Sequence, residues 1–166
     1  MIGSTAVTTT AAELNKLDGV TATTTELNYV DVTTLGLTEA SKAVTADANG
    51  VVTNDAGTSG EYTAVTSSSN AVSLNLQLGD NFSHDLTENT TISFANPAAS
   101  GKVSTATLRI IQTSSAKTIT WHSSIHWAGD TAPTLSTGDN DVDIFVFYTV
   151  DAGTTYYAFT AGQDMS

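Results

Sequence analysis

Apolar residues recur along this chain with two different periods. From Val72 onward they alternate with polar residues at every second position, the pattern of half-buried strands. In AVSLNLQLG, Val72, Leu74, Leu76 and Leu78 are expected inward and Ser73, Asn75 and Gln77 outward. NFSHDLT puts Phe82, His84 and Leu86 on one side, and TISF adds Ile92 and Phe94. Residues 103–112 read as a long strand with Leu108 and Ile110 inside, and KTITW pairs Ile119 with Trp121. The last pair is the most demanding: DIFVFYTV, a turn at 151–154, then TYYAFT. Ile144, Val146, Tyr148 and Val150 point one way, and Phe145 and Phe147 the other, because strand side chains alternate. Both faces are apolar. Each large side chain buried is worth about 1.5–3 kcal/mol, so this hairpin needs cover on both sides, from a second sheet and from another copy of the chain.

Ahead of this region the period is helical and the sequence repeats. TAAELNKLD at 10–18 and TTTELNYVD at 23–31 align at an offset of 13 residues, and Glu39 in LTEASKAV marks a degenerate third copy. Repeats at a fixed period predict an array rather than a globule. Thr10 with Glu13, and Thr23 with Glu26, fit the capping box, in which the Thr hydroxyl takes a backbone amide and the Glu reaches back. Leu14 and Leu17, like Leu27 and Val30, share a helical face. Helices this short are marginal alone; the same stripe from other chains, meeting on an axis, would support them. Residues 44–48 and 52–56 then match at an offset of eight, with Asn49-Gly50 and Gly57 as turn signals, and predict short strand–turn units. The expected organisation is an N-terminal repeat shaft with short helices at 1–43, a strand–turn shaft and linker at 44–70, and a β head at 71–166. About seven strands at short spacing predict a mostly β head built as an antiparallel sandwich or jelly roll.

Charge narrows the partners. Seventeen acids stand against five Lys and Arg, for a formal net charge of -12. That disfavours nucleic acid, whose phosphates need cations, and anionic membrane surfaces. The chain lacks cysteine, so disulfides and thiolate metal sites are out. The opening MIGSTAVTTT has neither a basic region nor an apolar core, which predicts synthesis in a cytoplasm without a secretory signal. Only 13% of residues are charged, about half the usual share; Thr, Ser, Ala and Asn take up the difference, as in extended extracellular or virion β structures.

The ELNKLDGVTATTTELNYVD segment resembles the repeat of tail-fibre and other virion structural proteins of tailed bacteriophages. NFSHDLTENTTISFANP and TITWHSSIHWAGDTAPTLSTGDNDVDIFVFYTVDAGTTYYAFTAGQDM are similar to a phage fibre end-domain. The resemblance implies a homotrimer with a slender shaft and a β-sandwich head, located in the virion, joined to other virion proteins at its N-terminal end and attaching to host surface glycan. Two alternatives are a capsid-decorating or baseplate protein that only mediates assembly, and a free carbohydrate-binding module.

Candidate chemistry is sparse. His122 and His126 are four apart, a metal spacing on a helix, but Ser and Gly neighbours argue against a helix. Asp139, Asn140, Asp141 and Asp143 resemble the start of a calcium loop, but Ile144 stands at its sixth position and Val150 at its twelfth, so the EF-hand reading fails. Trp121, Trp127, Tyr156 and Tyr157 could stack on sugars or fill a core; Trp121 alternates with Ile119 and is assigned to the core, whereas Trp127, in a loop, is the better contact residue. The expected receptor-contact set is Trp127, His126, His122 and Tyr157. No nucleophile elbow, phosphate loop or zinc-protease motif occurs, so no enzymatic role, metal or cofactor is expected.

Overall fold

The computed structural model describes residues 6, 8–54, 56–60 and 62–165. Expectations resting on the opening residues and on Asp55 of the second strand–turn copy lie outside the described residues. The chain is mostly β and divides into two units, Met1–Thr58 and Ser59–Ser166.

The N-terminal unit is held by local hydrogen bonds. Helix α1 (Ala11–Leu14) runs on into a 3-10 turn at Asn15–Leu17, and α2 covers Thr24–Asn28. Both carry the full capping box: the Glu13 amide donates to the Thr10 hydroxyl at 3.3 Å while the Thr10 amide donates to the Glu13 carboxylate at 2.8 Å, and Thr23 with Glu26 repeats this at 3.2 and 2.7 Å. The third copy forms no helix. Three residues before Glu39 stands Gly36 rather than a threonine, so there is no capping hydroxyl. The Glu39 carboxylate instead accepts the backbone amides of Thr33 (2.5 Å) and Thr34 (3.1 Å). The expected strand–turn units reduce to one turn and one bridge. Asp47 accepts the amides of Asn49 and Val51, around Gly50 at φ +78, and Leu37 bridges Thr53 in parallel. Among the described residues of this unit only Gly36 is buried.

Among its described residues the C-terminal unit contains nine strands: β1 (Tyr62–Val65), β2 (Ala71–Asn75), β3 (Asn81–Leu86), β4 (Thr90–Ala95), β5 (Ser104–Gln112), β6 (Ile119–Trp121), β7 (Ile125–His126), β8 (Val142–Thr149) and β9 (Tyr156–Gly162). They form a six-stranded sheet, β1-β3-β5-β8-β9-β7, and a three-stranded sheet, β2-β4-β6. Strand β1 lies in the stretch expected as linker. The expected antiparallel arrangement is corrected to mixed sheets. Strands β2, β4 and β6 are all parallel, as are β1, β3 and β5; only β5–β8 and β8–β9 are antiparallel. The cause is the path of the chain. From β1 to β6 it alternates between the two sheets, so each return to a sheet repeats the previous direction. Parallel neighbours need a crossover, and here a strand of the other sheet supplies it.

One apolar cluster draws on both sheets. Leu74, Ile92, Phe82, Leu86, Leu108, Ile110, Phe145 and Phe147 are all at most 2% exposed. Phe94 of the small sheet meets Phe147 edge-on at 5.0 Å and stacks on Tyr156 at 4.3 Å, and Trp121 meets Phe145 at 5.3 Å. The inward side of the final hairpin thus has its cover. Leu78 departs from the expected inward row. Strand β2 ends at Asn75, whose carbonyl accepts the Leu78 amide, and Leu78 is left 57% exposed.

Candidate functional site

Strand β7 is only two residues long, yet it decides where the expected contact residues go. The chain reaches it through a tight turn in which the Ile125 amide donates to the His122 carbonyl at 2.9 Å. It then pairs in parallel with β9, Ile125 opposite Tyr156 and His126 opposite Tyr157. Alternation turns Ile125 inward, His126 outward and Trp127 inward again.

Trp127 is therefore a correction. It was expected to be offered to a receptor from a loop, but it is 9% exposed and packs against Trp121 (5.0 Å), Phe145 (5.5 Å) and Phe147 (6.0 Å). Inward alternation past a very short strand, not loop membership, sets its burial. Its Nε1–H is buried without an acceptor among the described residues. Trp121 is partly buried against the same cluster, in line with its assignment to the core.

His126, Tyr157 and one margin of Trp127 line an open groove of about 520 Å³, joined by Asp130, Thr155 and Phe159. Tyr157 is 51% and Phe159 58% exposed, so two rings stand beside a few hydrogen-bonding groups. His122 does not join them in this groove. Its Nδ1 accepts from the Ser124 hydroxyl (2.8 Å) and amide (3.2 Å), which places the proton of the neutral ring on Nε2. Phe159 and Asp130 were not in the expected set. Phe159 was legible, because it shares an outward row with Tyr157; Asp130 was not, since it arrives through a 3-10 turn at Ala128–Asp130.

The acidic turn is used internally. Asp143 is 2% exposed and accepts the Ser136 amide (2.8 Å), the Ser136 hydroxyl (2.7 Å) and the Asp164 amide (3.2 Å). Asp141 accepts the Gly138 amide at 2.5 Å. Among the described residues no group of three or more His, Asp or Glu is placed to hold a metal ion, and none forms a helix long and apolar enough to cross a membrane.

Two side chains near the groove are tuned by their neighbours. Backbone hydrogen bonding from Thr155, with the Thr149 hydroxyl, holds Asp151 below the ordinary carboxylate range, and burial raises the Tyr156 phenol. Asp151 anchors the β8–β9 turn: its carboxylate accepts the Thr155 amide at 3.0 Å, and its carbonyl accepts the Thr154 amide across Ala152 (φ +57) and Gly153 (φ +79), both left-handed.

Comparison with known proteins returns no matching family model, no similar curated protein and no similar solved structure. The groove gathers ring faces, one histidine, one carboxylate and a hydroxyl at the β7 edge of the large sheet.

Proposed function

We propose that the protein is a bacteriophage virion fibre or spike subunit. In this reading it is a homotrimer, with a slender shaft formed from the N-terminal repeats and a β-sandwich head that attaches to the host cell surface. One observation carries it. Leu14 of α1, Leu17 in the 3-10 turn after it, Leu27 of α2 and Val30 just beyond it are between 45% and 62% exposed, and isolated helices below about 12 residues are marginal in water. A stripe repeated every 13 residues and uncovered in each copy is matched most simply by the same stripe on neighbouring chains. The resemblance of the repeat to phage fibre sequences points the same way. The groove beside His126 and Tyr157 supplies the attachment surface, and weak contacts repeated over three chains and many fibres add up through effective concentration.

Sedimentation equilibrium of the full chain tests assembly, with a trimer mass at micromolar concentration expected. A stable monomer would favour a free carbohydrate-binding module. Binding of the purified protein to host surface polysaccharide tests attachment. A trimer that binds no host surface would favour a decorating or baseplate role.

A further inference from the structure

The large sheet carries a second groove, at the opposite end of the sheet from His126 and Tyr157. It encloses about 480 Å³ over β1, β3 and β5, within the usual size range of small-ligand sites. By register, Ala64, Ser83 and Arg109 form one row across it, and Asp85 lies opposite Ile111 in the next. Tyr62, 59% exposed, and Thr87 stand at its margins. Alternation turns Ser83 outward, between the inward Phe82 and His84, yet it is only 4% exposed. Its hydroxyl is sunk in the groove. Arg109 is the single arginine of the chain. Among the described residues, the Ser83 hydroxyl, the Arg109 guanidinium and the Asp85 carboxylate make no hydrogen bond or ion pair, although Asp85 and Arg109 are diagonal neighbours on adjacent strands. A guanidinium only donates and a carboxylate only accepts. Open donors and open acceptors therefore flank a hydroxyl that can do both.

We propose that this groove binds a neutral sugar, with Arg109 donating to, and Asp85 accepting from, neighbouring hydroxyls of one pyranose ring. Charge selects the class. An acidic sugar would satisfy Arg109 but bring its own carboxylate beside Asp85, on a chain of net charge -12. A cationic ligand would satisfy Asp85 but meet Arg109. An uncharged ligand meets neither penalty. Vicinal hydroxyls, each both donor and acceptor, match the two side chains together. Ser83 supplies a further hydrogen bond from within the groove, and hydrogen bonds to the two charged groups are of the stronger kind. Tyr62 offers an apolar ring face with a polar tip to the C–H side of the sugar.

The site is separate from the His126–Tyr157 groove, and it rests on the attachment reading above only for its role in the virion. The test is NMR titration of the isotope-labelled full chain with maltose, lactose, mannobiose and chitobiose as neutral probes and digalacturonate as the acidic one. At least one neutral disaccharide should move the Ser83, Asp85 and Arg109 amide signals and the Arg109 Nε–H signal, with digalacturonate clearly weaker. Asp85→Asn and Arg109→Gln should each weaken that binding about tenfold, as expected for losing a hydrogen bond to a charged group, with unchanged circular dichroism. Tyr157→Ser, in the other groove, should leave it unchanged. Folded Asp85→Asn and Arg109→Gln chains that bind like wild type overturn the proposal. A stronger response to digalacturonate than to any neutral probe overturns the choice of a neutral sugar. Unmoved Ser83, Asp85 and Arg109 signals with every probe overturn the site; adhesion to host surface polysaccharide by the same protein would leave the attachment reading standing without it. Neutral-sugar binding here by a chain that adheres to no host surface upholds the site and counts against attachment.

Discussion

The two units of this chain are stabilised by opposite means. In the N-terminal unit, order comes from carboxylates receiving backbone amides within a few residues: Glu13, Glu26, Glu39 and Asp47 each hold a turn or helix start, and almost nothing is buried. In the C-terminal unit, order comes from a single apolar cluster shared by two sheets, with Leu74, Leu86, Ile92, Leu108 and Phe145 fully enclosed. Local hydrogen bonds specify shape but contribute little net stability each, about 0.5–1.5 kcal/mol. Buried side chains contribute more apiece and cooperate. The N-terminal unit is thus well specified and weakly stabilised.

The contrast is broken most forcefully at Phe145. Its ring is fully buried and lies 5.3 Å from Trp121 and 5.5 Å from Trp127. Phe145→Ala should cost about 3–5 kcal/mol, the usual range for a buried phenylalanine. Chemical denaturation followed by tryptophan fluorescence reads this directly, because both tryptophans lie in the same cluster. The helical amides of α1 and α2 should keep their chemical shifts. If they shift with the core, the two units are not independently ordered.

Legibility in the sequence followed the same divide. The capping boxes could be read residue by residue because they depend only on Thr and Glu three positions apart, and the failure of the third copy is equally local, at Gly36. The inward rows were readable wherever a strand was long: Phe82, His84 and Leu86, then Leu108 and Ile110. Strand direction was not. Alternation states which side chains face inward but is blind to the direction of the neighbouring strand, so the winding of β1 to β6 between two sheets left no local trace. Trp127 shows the same limit at the candidate site. A two-residue strand carries too little pattern to announce itself, and without β7 the ring looked like part of a loop. His126 and Tyr157, by contrast, do line one groove.

A middle-sized effect sharpens the comparison by placing the chemistry of the first unit inside the second. Asp143 is also a carboxylate receiving backbone amides, but it is buried, with Ser136 and Asp164 as donors. Asp143→Ala would strand those donors away from water, at about 1–3 kcal/mol for each buried group left unsatisfied. The denaturation midpoint of the C-terminal unit should fall clearly, though less than for Phe145→Ala. Exchange of the Ser136 and Asp164 amides, followed by NMR, should quicken in step. An unchanged midpoint would mean that water replaces the carboxylate at no cost and that burial there is incomplete.

The smallest effect is the most specific. The Thr10 hydroxyl and amide hold Glu13 below its ordinary pKa of 4.5, and the Thr23 amide and hydroxyl do the same for Glu26. A carboxylate whose pKa is depressed in the folded state stabilises that state while it is ionised. The contribution is therefore whole above the ordinary value and is lost as pH falls through the lower value of the capped form. Carboxyl carbon shifts should show both glutamates titrating below 4.5, with the Thr10 and Thr23 amide signals moving at the same midpoints. Replacing the hydroxyls, in Thr10→Val and Thr23→Val, should return the glutamate midpoints toward 4.5 and leave the denaturation midpoint of the C-terminal unit where it was. Both groups are fully exposed, so the signal is local by construction of the chain. Midpoints already at the ordinary value in the wild type would mean that the boxes are open in solution.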